Sequence, residues 1–224
     1  MNPPETHLPF VPAHHLRIPD GVNVWGQTEF DLLQTLTLRV RLMAIQQIDR
    51  IWEDSGQSLS RLVNAGLVER HEIDTHPLLE NLLPLTAWVP GQPEPDLEAA
   101  SQAARTRWNR SSVRTVVFVA SRQAAGLFGS DSRGLPPVEH RDHDLVLSEA
   151  YAFYRISRPE VAINWVGEDF FPKAGFQIKA PDAFLVDHSG AFRCVIESAG
   201  RYSVRQVASF HDYCAANELP YELW

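Results

Sequence analysis

Ser58-Leu59-Ser60-Arg61-Leu62-Val63-Asn64-Ala65-Gly66-Leu67-Val68-Glu69-Arg70 is the stretch on which the reading of this chain turns. Leu59, Leu62 and Val63 recur at the i, i+3, i+4 spacing of one helix face, which predicts a helix from Gln57 to Ala65. Gly66 stops it, because glycine takes the left-handed cap without a Cβ penalty. Leu67 to Ile73 then alternates like a half-buried strand. Upstream, Phe30, Leu33, Leu36 and Thr37 mark a helix over Thr28–Leu38. Leu42, Ile45, Ile48, Ile51 and Trp52 mark another over 41–52, and Glu53-Asp54-Ser55-Gly56 turns the chain into the third. Downstream, Leu85 to Gly91 is expected to pair back on the 67–73 strand.

Helix, helix, short turn, helix and a two-stranded hairpin is the order of a winged helix-turn-helix, here spanning 28–91. Its third helix keeps Gln57, Ser60, Arg61 and Asn64 outward, on the face that would enter a major groove. The plainer alternative is a solvated face used for protein contacts. Residues 1–27, rich in Pro and His with no period, read as an extended arm, with His14 and His15 lacking ligand partners at a metal spacing.

Residues 92–137 form an Arg-rich connecting segment. Pro90 to Asp96 is a linker by composition, Leu97–Arg107 a helix capped by Asp96, Val113–Ala120 a strand, and Ser121–Phe128 a short helix ending at Gly129. The whole chain carries a net charge of −8, which argues against phosphate neutralisation. Between 101 and 135, however, six arginines face Asp131 alone, a local charge of +5. Arg105, Arg107, Arg110 and Arg114 are therefore candidate DNA-backbone contacts, with a solvated helix face as the competing account.

From 138 the pattern changes to helix (Asp142–Tyr154), strands (Val161–Val166, Ala183–Val186, Phe192–Glu197), helix (Ser203–Asn217) and a last strand (Pro220–Trp224). This αβββαβ order resembles the restriction-endonuclease-like fold, so the fold class expected is α/β (α+β), a winged helix followed by that domain over 138–224. Asp182 in Pro181-Asp182 and Glu197 in Ile196-Glu197-Ser198-Ala199 match the superfamily's PD…(D/E)xK motif, and Glu149 matches the acid often found on its first helix. Converging carboxylates hold a hard cation such as Mg²⁺ or Mn²⁺, which activates water against a phosphodiester. The motif's lysine position is Ala199 here; Lys179 and Arg201 are off the expected spacing. No catalytic residue and no cofactor are therefore expected. Asp182 and Glu197 stay as a weak metal candidate, joined by Glu149 and Lys179 if the site is active. His140 and His143 in Glu139-His140-Arg141-Asp142-His143-Asp144 read as part of a helix start rather than a metal site.

The two cysteines, Cys194 and Cys214, sit among apolar residues and suit buried thiols of a reducing compartment. With no membrane-length apolar run and no signal pattern, the expected location is cytoplasmic.

Taken in order, Ser58–Arg70, His143-Asp144-Leu145, Trp165 within Asn164–Glu168, Pro181–Leu185 and Glu197 make the chain resemble the replication-relaxation family of plasmid- and mobile-element-associated proteins. The resemblance covers most of 28–224. It implies double-stranded DNA as partner and a role in replication, mobilisation or transcription regulation, with replication or mobilisation proteins and a second copy of the chain as further partners. The expected function is DNA binding, with an inactive nuclease-like domain serving dimerisation or docking. The alternatives are a metal-dependent nuclease using Asp182 and Glu197, and a protein-interaction adaptor.

Overall fold

The first apolar stripe folds as α1 (Gln27–Leu38), which buries Leu32, Leu33 and Leu36. The computed structural model describes residues 25–77, 82–130, 134–170 and 181–224. All but the last residues of the expected N-terminal arm, together with Lys179 and Arg133, lie outside them. After α1 come β1 (Met43–Ala44), α2 (Ile45–Ile51), α3 (Ser55–Asn64), β2 (Val68–Thr75), β3 (Thr86–Trp88), α4 (Leu97–Arg107), β4 (Val113–Ala120) and α5 (Arg122–Phe128). The chain continues with α6 (Val138–Ser157), α7 (Pro159–Ala162), β5 (Trp165–Gly167), β6 (Ala183–Val186), β7 (Phe192–Glu197), α8 (Val204–Ala216) and β8 (Tyr221–Leu223). The described residues thus form a mixed α+β protein with eight α-helices and two sheets. No helix among them is long and apolar enough to cross a membrane.

Strand pairing departs from the hairpin expected between 67–73 and 85–91. β2 pairs instead with β4, antiparallel from Val68↔Ala120 to Thr75↔Val113, and β1 flanks β4 on its other side. β4 is apolar on both faces, with Val117 and Val119 in one buried cluster and Phe118 and Ala120 in another. Such a strand is stable only in the middle of a sheet covered on both sides. Leu85–Val89 lies between Pro84 and Pro90, which cannot donate to a ladder. Its β3 core joins the edge of the second sheet, antiparallel to β8. The chain between the two long strands therefore crosses to the other sheet and returns.

Two further expectations shift locally. The 41–52 segment opens with β1, since Met43 and Ala44 pair with Phe118 and Val117 before the helix begins. Val161–Val166 is not one strand: Pro159 at the first helical position starts the turn α7, and pairing begins only at Trp165.

The second sheet runs β3-β8-β7-β6-β5, with β7 and β8 parallel and its other pairs antiparallel. Its side chains alternate between two cores. Ala183, Leu185 and Ile196 meet Tyr151, Tyr154 and Trp165, while Phe184, Val195, Tyr221 and Leu223 meet Leu97, Ala104 and Val207 of α4 and α8. α6 serves both sheets, and its residues 144–152 are buried without interruption. Leu145 covers the first sheet beside Val117 and Ile73. A helix buried all round must satisfy its own polar side chains. Ser148 Oγ donates to the Leu42 carbonyl, and Gln47 Nε2 donates to the Leu145 carbonyl at 2.9 Å.

The seam between the sheets is close at Gly167. A Cβ there would lie 2.8 Å from the Arg39 carbonyl oxygen, while Trp165 Nε1 donates to that same oxygen at 3.1 Å. Backbone cannot yield as a side-chain tip can. Gly167→Ala is expected to destabilise the fold by about 1–3 kcal/mol, the usual range for overpacking, as read from urea unfolding. An unchanged midpoint would mean that α1 can slide away from β5.

Candidate functional site

α3 has its apolar side inward through Leu59 and Leu62, and Gln57, Ser60, Arg61 and Asn64 are all exposed, as its spacing requires. Two of the four are also tied to the fold. Ser60 Oγ donates to the Gly56 carbonyl at 2.8 Å. Arg61 Nη1 lies 2.7 Å from Glu29 Oε1, and Glu29 is only 4% exposed. Removing Arg61 would strand that carboxylate, so Arg61 stabilises the α1–α3 contact whatever else it does. Gln57 and Asn64 lie exposed at opposite ends of the face, with no side-chain hydrogen bond among the described residues.

The four connecting arginines separate in the fold. Arg114 faces Asp74 at 3.3 Å and Glu72 at 4.0 Å across the β2–β4 ladder. Arg107 turns inward: among the described residues none of its guanidinium nitrogens reaches a hydrogen-bond partner, and burial lowers its pKa to about 10. Arg105 and Arg110 are exposed. A single stripe of four outward arginines is therefore not formed.

The carboxylates of the nuclease-like motif also take separate partners. Asp182 is 1% exposed; its Oδ2 lies 2.9 Å from His143 Nε2 and accepts from the Ser198 amide at 2.8 Å. His143 Nδ1 lies 3.1 Å from Asp144 Oδ1, so the imidazole bridges two buried acids. Burial opposes the imidazolium, yet the bonds to Asp144 and Asp182 outweigh it and hold the His143 pKa up to about 10. At neutral pH this favours a protonated imidazole between the two acids.

Glu197, 4% exposed, instead receives the Tyr202 hydroxyl at 2.5 Å, on the side of the sheet where Tyr202 packs with α4 and α8. Glu149 is held by Arg50 Nη2 at 2.6 Å and Gln47 Nε2 at 3.0 Å, which fastens α6 to α2. Lys179 lies outside the described residues. Ala199, in place of the motif lysine, is 0% exposed and packed in the apolar cluster with Phe184, Val207 and Leu223. Among the described residues, no three His, Cys, Asp or Glu side chains are grouped to hold a metal ion. Among the described residues, Glu149 is bonded to α2, while Asp182 bonds His143 and Glu197 bonds Tyr202.

The partnership of His143 with Asp182 is not visible in the spacing of 139–144. Its only signal in the sequence is a histidine flanked by Asp142 and Asp144 on a helix that must be buried to cover two sheets. Asp142 is used elsewhere, accepting the His76 amide at 2.8 Å and facing His76 Nδ1 at 2.7 Å.

Comparison with family models, with curated proteins and with solved structures finds no match.

Proposed function

We propose that this chain binds double-stranded DNA through α3 and the β2–β4 ladder, and that its second sheet carries a nuclease-like fold without nuclease chemistry. The carrying observation is the unit α1, β1, α2, α3, β2, β4 with sheet order β1-β4-β2 and a polar, exposed α3 face. That unit is what a winged helix requires, with the ladder as wing and α3 as recognition helix. The run β5-β6-β7-β8 behind α6, ending in a parallel pair, supports the restriction-endonuclease-like reading of the second sheet. Partner-docking or dimerisation is the role proposed for it. The replication-relaxation resemblance extends the proposal to plasmid or mobile-element replication, mobilisation or transcriptional control.

Acidity is the main objection, and it is met locally. Glu72 pairs with Arg70 and faces Arg114, and Asp74 lies 3.3 Å from Arg114. The wing's acids are thus partly neutralised in place, although screening makes such exposed pairs weak.

The test begins with selection of a preferred duplex from random sequence. Gln57→Ala and Asn64→Ala are each expected to weaken that duplex by about 1–3 kcal/mol if they read adenines bidentately, with little change on unrelated DNA. Failure of selection to enrich any sequence, with wild-type protein binding no duplex, would end the proposal. Arg61→Ala is unsuited to this test, because it also unpairs Glu29.

A further inference from the structure

α4 and the start of α8 enclose a groove of about 620 Å³ lined by Gln102, Arg105, Asn109, Arg201 and Val204, with Glu98 as the one acid among its described lining residues. Two arginines from segments far apart in sequence thus meet across one open space in a chain of net charge −8. Arg105 forms no ion pair among the described residues and is exposed. Arg201 is pre-positioned, since its Nη2 donates to the Trp108 carbonyl at 3.0 Å, the C-cap residue of α4. A guanidinium fixed by one donor keeps its others for a ligand. Gln102 and Asn109 add neutral amide groups along the same helix.

The far wall is the first turn of α8, a 13-residue helix capped by Ser203, whose backbone N–H groups favour negative charge. Two guanidinium groups and the side-chain amides of Gln102 and Asn109, against the single acid Glu98 of the described lining, suit a tetrahedral oxyanion. They do not suit an apolar ligand or a peptide side chain.

We infer that the groove between α4 and α8 holds a backbone phosphate of bound DNA, gripped by Arg105 and Arg201. This rests on the DNA-binding reading and deepens it: α4 is inserted between the two wing strands, so Asn109 and Arg110 lead directly into β4. The groove supplies affinity without sequence information, while α3 supplies the reading of bases.

The experiment measures duplex affinity against salt for the full chain. Arg105→Gln with Arg201→Gln should lower the log–log salt slope by about one, as one lost phosphate contact requires, and weaken preferred and unrelated duplexes alike. Arg105→Glu alone, at an exposed position, keeps the test valid if loss of the Arg201–Trp108 bond disturbs folding; it should lower the slope by at least about one. In parallel, inorganic phosphate titrated into isotope-labelled protein should shift the amide signals of Val204 and Arg205, and the arginine variants should abolish those shifts. If wild-type protein binds duplex and Asn64→Ala weakens it, but no groove variant moves the slope, the groove assignment is overturned and the DNA reading stands. If wild-type protein binds no duplex, both fall, even where phosphate alone still shifts those amides.

Discussion

Replacing His143 by alanine is expected to cost about 3–5 kcal/mol of folding stability, because it leaves two buried carboxylates without the cation that joins them. Asp182 is 1% exposed and Asp144 3% exposed, and one imidazole touches both. Among the described residues, Asp144 Oδ2 has no hydrogen-bond partner of its own. The pH dependence has a definite sign. The pKa of His143 rises from 6.5 when unfolded to about 10 when folded, so its contribution is complete below 6.5 and is lost as pH climbs through 10. Wild-type protein should lose stability between those limits, while His143→Ala should be less stable and flatter there. Urea unfolding at several pH values checks both. A variant as stable as wild type at pH 6 would show that the acids are neutral and the imidazole is not their counter-ion.

Local pattern shows most of the elements and little of what joins them. The helices at 97–107, 122–128 and 204–216 follow from caps at Asp96, Ser121 and Ser203 and from the left-handed stop at Gly129, all interactions within a few residues. The strands 183–186 and 192–197 follow from their apolar content and the Asp187–Gly190 turn. The partner of 68–75 did not follow, because proximity in sequence favoured 85–91. The choice was made by burial of β4 on both faces, a property of the assembled layers. The same distinction governs the sites. The outward face of α3 is a consequence of helical period and was legible. Glu29 beneath Arg61, His143 between Asp144 and Asp182, and Arg50 against Glu149 each join residues from different elements, more than thirty positions apart except for the Asp144 contact. The motif acids were found by their order along the chain, but the partners that hold them, His143 for Asp182, Tyr202 for Glu197 and Arg50 for Glu149, come from tertiary contacts that local order does not encode.

Ala199→Lys is expected to destabilise the protein by about 4–7 kcal/mol and to leave it unable to cut DNA with Mg²⁺ or Mn²⁺. In a working site of this type, a lysine two residues after the second acid reaches a polar, metal-bearing cleft. Here the Ala199 side chain has no exposure and packs among Phe184, Val207 and Leu223, and its amide donates to the Trp224 carbonyl at 2.6 Å. An ammonium forced into that cluster would lie in low dielectric, where buried lysines lose about 3–5 pKa units. At about 1.4 kcal/mol per unit this gives the expected cost. Much of a typical folding free energy of about 5–15 kcal/mol would be consumed. The nearby carboxylate offers limited relief, because Glu197 already receives the Tyr202 hydroxyl and Asp182 is engaged with His143. Thermal and urea unfolding at pH 6 and pH 9 measure the effect. A neutralised lysine makes the penalty smaller at the higher pH, and a ratio of stabilities that moves this way identifies desolvation as its cause. The opposite result would be informative too. A variant as stable as wild type, or one that gains metal-dependent cleavage abolished by Asp182→Ala and by Glu197→Ala, would mean that the 199 position opens onto a polar site. The second sheet would then be one residue short of an enzyme rather than a closed layer kept for its shape.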